Sequence, residues 1–227
     1  MIELLNSIDN DIFLTLNGYH CAYFDHFMKI ATGKLIWVPF YASILYVMTR
    51  NLRPRQLACA IAAVALTILI ADQLCSSTIR PVVARLRPAN LENPISPLVH
   101  IVDGYRGGAY GFPSCHAANT FALAGFIGVL MRRGWLTAVV IAWAVLNSYS
   151  RLYLGVHYPG DLIVGGIIGA AVGMLMAFAA RKAIAAVDRR YQMHSPAVFS
   201  QTRYISLTFA LMLLIIAVAA TATLFSA

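Results

Sequence analysis

Long apolar runs dominate this chain and leave little freedom in how it can fold. A transmembrane helix needs about 20 mostly apolar residues. The sequence offers Phe27 to Met48, Leu57 to Ser77, Ala117 to Met131, Trp135 to Tyr149, Leu162 to Ala180 and Ile205 to Phe225, separated by short polar breaks. Inside hydrocarbon the backbone must satisfy its own polar groups, which makes such runs helices. The expectation is an all-α, polytopic membrane helical bundle of about six transmembrane helices. The third and fourth runs are short, so their helices should extend into the flanking polar residues. Residues 1–24 are too polar to span, but Ile2, Leu5, Ile8, Ile12 and Leu16 recur at roughly helical spacing and predict an N-terminal interfacial helix. Without an internal repeat or linker, residues 1–227 read as a single integral-membrane domain.

Composition agrees. Hydrophobic residues make up 60% of the chain and charged residues 11%, against about 25% charged in a soluble domain; the mean hydropathy is +0.72. The net charge of +8 belongs to loops and lipid headgroups rather than to nucleic acid, for which there is no soluble basic domain. Cys21, Cys59, Cys75 and Cys115 are scattered and suggest neither a metal site nor a disulfide framework. The start, MIELLNSIDNDIF, lacks the basic region of a cleavable signal peptide. No obligate protein partner is expected; the partners are the bilayer and a lipid.

Basic residues orient the chain. Arg50, Arg53 and Arg55, then Arg132 and Arg133, then Arg181, Lys182, Arg189, Arg190 and Arg203 follow the first, third and fifth runs, marking the cytoplasmic side. The loops Thr78 to His116 and Ser150 to Asp161 then face outward, although they hold Arg80, Arg85, Arg87, Arg106 and Arg151. Cations on the wrong side ask for a local anion.

These outward loops hold the residue types that phosphate chemistry uses. Arg80 and Arg87 are seven positions apart, close to two helical turns, so both guanidinium groups are expected on one helix face; snorkelling to headgroups is the alternative. Ser114 before Cys115 and His116 reads as a helix N-cap, whose free N–H groups and macrodipole favour an anion. His157 precedes Asp161 by four residues, so the carboxylate can fix one ring nitrogen and leave the other as nucleophile or base. Taken singly, the Ser–His pair also reads as a cap beside an interfacial histidine, and the His–Asp pair as a structural hydrogen bond.

In order and spacing, Arg80 to Arg87-Pro88, Pro113-Ser114-Cys115-His116, and Ser150-Arg151 to His157 and Asp161 resemble the three-part signature of the type 2 phosphatidic acid phosphatase superfamily, over residues 80–161. The family's first motif usually opens with Lys where this chain has Arg80, and its second has Gly where this chain has Cys115. The resemblance implies His157 as nucleophile forming a phosphohistidine, Asp161 orienting its ring, and His116 as general acid and base. It also implies a phosphate cradle of Arg80, Arg87, Arg151, Ser114 and the Cys115 N–H, with no metal and no cofactor.

The implied protein is a lipid phosphatase of the bacterial cytoplasmic membrane, with its site facing outward. Undecaprenyl diphosphate is the first candidate substrate, lipid A phosphate the second, with phosphatidylglycerol phosphate and phosphatidic acid also in the family's range. A lipid phosphotransferase with the same site, or a non-enzymatic headgroup-binding protein, are the alternatives. Asp72, inside the second run, is a partner for a neighbouring helix or a group connected to the site. Residues 103–110, DGYRGGAY, read as a flexible lid or headgroup contact, with Arg106 as its phosphate contact.

Overall fold

A computed structural model describes residues 2–194 and 196–226. Among these residues eight helices form: α1 (Ile2–Gly18), α2 (Ala22–Ala31), α3 (Leu35–Asn51, opening with a short 3-10 turn), α4 (Pro54–Val83), α5 (Cys115–Met131), α6 (Gly134–Tyr153), α7 (Pro159–Tyr191) and α8 (Arg203–Ser226). Among the described residues no strand forms; one antiparallel bridge pairs Leu86 with Tyr110.

Helix α5 is the axis of the bundle. Ala117, Ala118, Ala122, Ala124, Phe126 and Ile127 are buried around it. Against it α7 lays Gly165, Gly169 and Gly173, a small residue every fourth position, on one face. A Cβ at these glycines would overlap the backbone carbonyls of Ser114, Ala118 and Ala122, respectively. The two backbones are therefore in contact, as stripes of small residues allow between membrane helices. The inner half of the core is aromatic and aliphatic, with Trp37, Phe40 and Trp143 edge-on or tilted at 5.1–6.1 Å. On the outside Leu66, Leu69, Ile163, Ile167, Leu175 and Leu211 are exposed, as a lipid-facing surface requires.

Among the described residues, length and apolarity single out three helices as candidate spans, Pro54–Val83, Pro159–Tyr191 and Arg203–Phe225, which does not by itself reach the six expected. The expected first span is broken: α2 and α3 meet at 67° across Thr32-Gly33-Lys34 and cross, if at all, only as a pair. Asp25, His26 and Lys29 on α2 explain the break, since they belong at an aqueous surface. Helix α5, with 17 residues, is short because protein rather than lipid surrounds it. Helix α6 extends into Ser150 to Tyr153, as its short run required. Helix α7 continues through the basic stretch expected to be a loop; at 33 residues it is about 50 Å long, well beyond a hydrocarbon core of about 30 Å.

Helix α1 forms as expected. Leu5, Ile8 and Ile12 are exposed while Phe13 is buried against Tyr158, ring centroids 5.3 Å apart; the side chain of Ile2 lies outside the described residues. The basic ends of α3, α5 and α7 gather at the inner end: Arg55 stacks on Tyr191, Arg133 Nε donates to Phe199 O, and Asn51 binds Ser200.

Replacing Gly169 with Val should separate α5 from α7, lowering the midpoint of thermal unfolding by an amount corresponding to at least the 1–3 kcal/mol, roughly, of an overpacked core. Gly134→Ala, where a Cβ meets nothing within 4 Å, should leave it unchanged.

Candidate active site

Three chain segments converge at the outer end of the α5–α7 pair. The first is the exit of α4. Its last turns pass through a π-helical segment, Leu74–Ile79, before Arg80, an irregularity frequent at functional sites. The chain then leaves the helix at Ala84, in the left-handed region at φ 47°. Arg80 and Arg87 therefore do not share a helix face. Leu86 pairs with Tyr110 and Arg87 N donates to Ala109 O, so a loop brings Arg87 back over the site.

The second segment is the N-terminus of α5. Ser114 is the N-cap, its Oγ accepting from Ala117 N at 3.4 Å. The N–H groups of Cys115 and His116 are among the donors that a helix start leaves without intrahelical partners. Ser114 N donates to Asp161 O at 3.0 Å, tying this helix start to the first turn of α7.

The third is the turn from α6 to α7. His157 is 2% exposed and Asp161 fully buried. Nδ1 of His157 lies 3.2 Å from Asp161 Oδ2, and Nε2 lies 2.8 Å from Arg87 Nη1. Because the guanidinium can only donate, Nε2 carries the lone pair and Nδ1 the proton, given to Asp161. Burial, then the cationic fields of Arg87, Arg151 and Arg80, hold the pKa of His157 well below 6.5. Arg87 also donates to Val156 O at 2.9 Å; burial and the neighbouring arginines pull its pKa down to about 10, and it remains cationic at neutral pH. Arg151 donates to Thr32 Oγ1 and to the Tyr105 hydroxyl, holding that phenol below its ordinary range. Nε of Arg80, of Arg87 and of Arg151 is in each case buried without a partner. Three unpaired guanidinium donors in one cluster match the oxygens of a phosphoryl group.

His116 stands where two cavities meet. One, of about 650 Å³, descends along α4 and α5 between Asp72, Asn119, Ile61 and Met48. The other, of about 360 Å³, lies under the 102–105 loop with Arg151, Lys29 and Tyr105 in its wall. The expected site residues His157, Asp161, His116, Arg80, Arg87, Arg151, Ser114 and Cys115 thus come together. Arg106 does not join them; it donates to Ala89 O and Ser96 Oγ, bracing the loop from the far side.

The structure adds two residues that spacing could not reveal. Arg85 donates to Asp161 Oδ1 at 3.1 Å and to Asp9 Oδ2 at 2.6 Å, and lies over the Tyr158 ring at 3.8 Å. Asp9, from α1, also accepts from Gly160 N at 2.8 Å. An acid 152 positions from Asp161 leaves no local signal. Gly111 makes room for this packing: a Cβ there would come within 2.8 Å of Asp161 Oδ2. The two departures from the resembled signature prove to be one feature, since Arg80 Nη2 donates to Cys115 Sγ at 2.9 Å and to Pro113 O at 2.8 Å.

Residues 56–185 match the family described as the PAP2 superfamily. The chain is 55% identical to a lipid A 4'-phosphatase of Bacteroides thetaiotaomicron over 80% of this chain and 81% of that protein. It is 36% identical to a lipid A 4'-phosphatase of Porphyromonas gingivalis, over 76% and 72% of the two chains. An undecaprenyl-diphosphatase of Sulfolobus acidocaldarius is 28% identical over 77% and 75%. Among solved structures, the crystal structure of Aquifex aeolicus LpxE superimposes with a TM-score of 0.53 at 23% identity, covering 73% of this chain and 92% of that one.

Asp9→Ala should lower kcat for phosphate ester turnover by about tenfold with KM little changed, the scale of one lost charge-assisted hydrogen bond. In a double-mutant cycle, Arg80→Lys and Cys115→Gly should act non-additively on the inhibition constant of inorganic phosphate, because the two side chains touch.

Proposed function

From the premise that this chain belongs to the PAP2 superfamily and is a membrane lipid phosphatase, we propose that it hydrolyses the phosphate monoester of lipid A through a phosphohistidine on His157. Two relatives, 55% and 36% identical to this chain, carry the name lipid A 4'-phosphatase. This reverses the order expected from sequence, which placed undecaprenyl diphosphate first. The observation that carries the mechanism is the single tautomer of His157, set by Asp161 on one nitrogen and Arg87 on the other.

In the first step Nε2 attacks phosphorus, the bond from phosphorus to the lipid oxygen breaks, and His116 gives that oxygen a proton. The positive charge that develops on the His157 ring is met by Asp161, which Arg85 holds in place. The Arg87 N–H that now donates to Nε2 passes to a phosphoryl oxygen, joined by the unpaired Nε donors of Arg80 and Arg151. In the second step His116 takes a proton from water, the oxygen attacks phosphorus, and the phosphorus–nitrogen bond breaks. His157 returns to its neutral form and inorganic phosphate leaves. The arginines supply the cationic field for charge redistribution on the phosphoryl group.

The proposed setting is a bacterial cytoplasmic membrane with the site facing outward. Support comes from the basic ends of α3, α5 and α7, which gather at the end opposite the site, as the positive-inside rule expects.

His157→Ala is expected to abolish phosphate release from purified lipid A, and His116→Ala to slow it by about 10² to 10⁴. Full activity in the His157 variant would falsify the nucleophile assignment. Because the native pKa of His157 lies below 6.5, the neutral, reactive ring persists as pH falls through 6.5. The acid limb of kcat/KM should then lie below that value, kcat/KM reporting the free enzyme. A loss of activity centred at or above 6.5 would contradict the burial argument.

A further inference from the structure

In the cavity that descends from His116, whose other polar side chains include Tyr41, Thr120 and Asn147, Asp72 of α4 faces Asn119 of α5. Asn119 Nδ2 donates to Asp72 Oδ1 at 3.0 Å, and Ser76 Oγ donates to Asp72 Oδ2 at 3.4 Å. Both carboxyl oxygens therefore act as acceptors. Asn119 Oδ1 is buried with no partner, and turning the amide over would set its oxygen against the carboxyl. The unpaired atom of the pair is thus an acceptor, Asn119 Oδ1, and a buried acceptor left unpaired is costly. Asn119 follows His116 by three residues on α5, about 4.5 Å further along the axis. Below this level, Ile61, Ile68, Ile44 and Met48 line the walls.

We propose that Asp72 and Asn119 form a specificity subsite that accepts hydrogen bonds from a hydroxyl or amide N–H of the lipid, one helical turn below its phosphate, before the hydrocarbon chain continues down the cavity. The inference rests on the lipid phosphatase reading and narrows it to a substrate class. An acylated amino sugar phosphate carries such donors beside its phosphate. A polyprenyl diphosphate is hydrocarbon from its first carbon onward and would leave Asn119 Oδ1 facing an apolar chain. A site built to bond a substrate donor discriminates strongly against analogues that lack it. Asp72 is a binding group here and takes no part in bond making.

The experiment compares kcat/KM for an N-acyl glucosamine 4-phosphate with that for farnesyl diphosphate, in the native protein and in Asp72→Leu and Asn119→Leu. The native protein should prefer the amino sugar, and each variant should lose about 10- to 100-fold of that preference ratio, whatever happens to the absolute rates. A ratio unchanged by either substitution overturns the proposal and leaves the pair as a helix-to-helix hydrogen bond. Direct binding of the same two lipids to His157→Ala protein separates this question from turnover. If the native protein is inactive on both lipids, the phosphatase reading fails, but a binding preference that disappears in His157→Ala/Asp72→Leu still upholds the subsite, and the absence of any preference overturns it.

Discussion

The contact on which the site depends is made between two backbones. Where Gly165, Gly169 and Gly173 meet the carbonyls of Ser114, Ala118 and Ala122, α7 and α5 approach closer than any side chain would permit. Each helix begins at the outer end of this seam. The Ser114 cap and the His157–Asp161 pair are thereby brought within one hydrogen bond of each other, Ser114 N to Asp161 O. The positive ends of two helix dipoles point at the same place. Packing deep in the bundle fixes the distance between His116 and His157, the two histidines of the proposed chemistry, which lie 41 positions apart in the sequence.

The site stores electrostatic tension. Arg80, Arg87 and Arg151 are gathered with little solvent, and Arg87 shows the cost in its lowered pKa. Carbonyls and hydroxyls satisfy part of each guanidinium: Pro113 O for Arg80, Val156 O for Arg87, Thr32 and Tyr105 for Arg151. The Nε groups stay unpaired. On the proposed function, a phosphoryl dianion would supply what the protein withholds, so affinity for the anion and strain in its absence would have one origin. Arg85 serves differently: with Asp9 and Asp161 on either side, it is neutralised and becomes part of the framework.

Local chemistry was legible in the sequence, and long-range geometry was not. The Ser114 cap and the four-residue step from His157 to Asp161 depend on helix periodicity, so spacing suggested them, and the resemblance of the three motifs taken together singled them out. The glycine stripe was also readable, since small residues at every fourth position of an apolar run are a packing signal. The placement of Arg80 and Arg87 on one face failed because the helix ends at Ala84, which turns left-handed three residues after Pro81. The bend in the first span was missed for a related reason: Lys29 and Lys34 lie inside the run Phe27 to Met48, where averaged hydropathy hides them. Asp9 could not have been found, because its partners lie on other segments of the chain.

The meeting of the two cavities at His116 bears on the direction of the reaction. In the proposed reaction, the lipid and the phosphate are joined on arrival and separate at His116, which lies between an apolar channel and a polar mouth. On the proposed chemistry, the alcohol formed stays in the bilayer phase, while the anion departs through the opening beside Arg151 and Lys29. The products enter different solvents and are diluted independently of each other. Reversal would require their re-encounter across a phase boundary, so the compartments themselves help to make hydrolysis one-way.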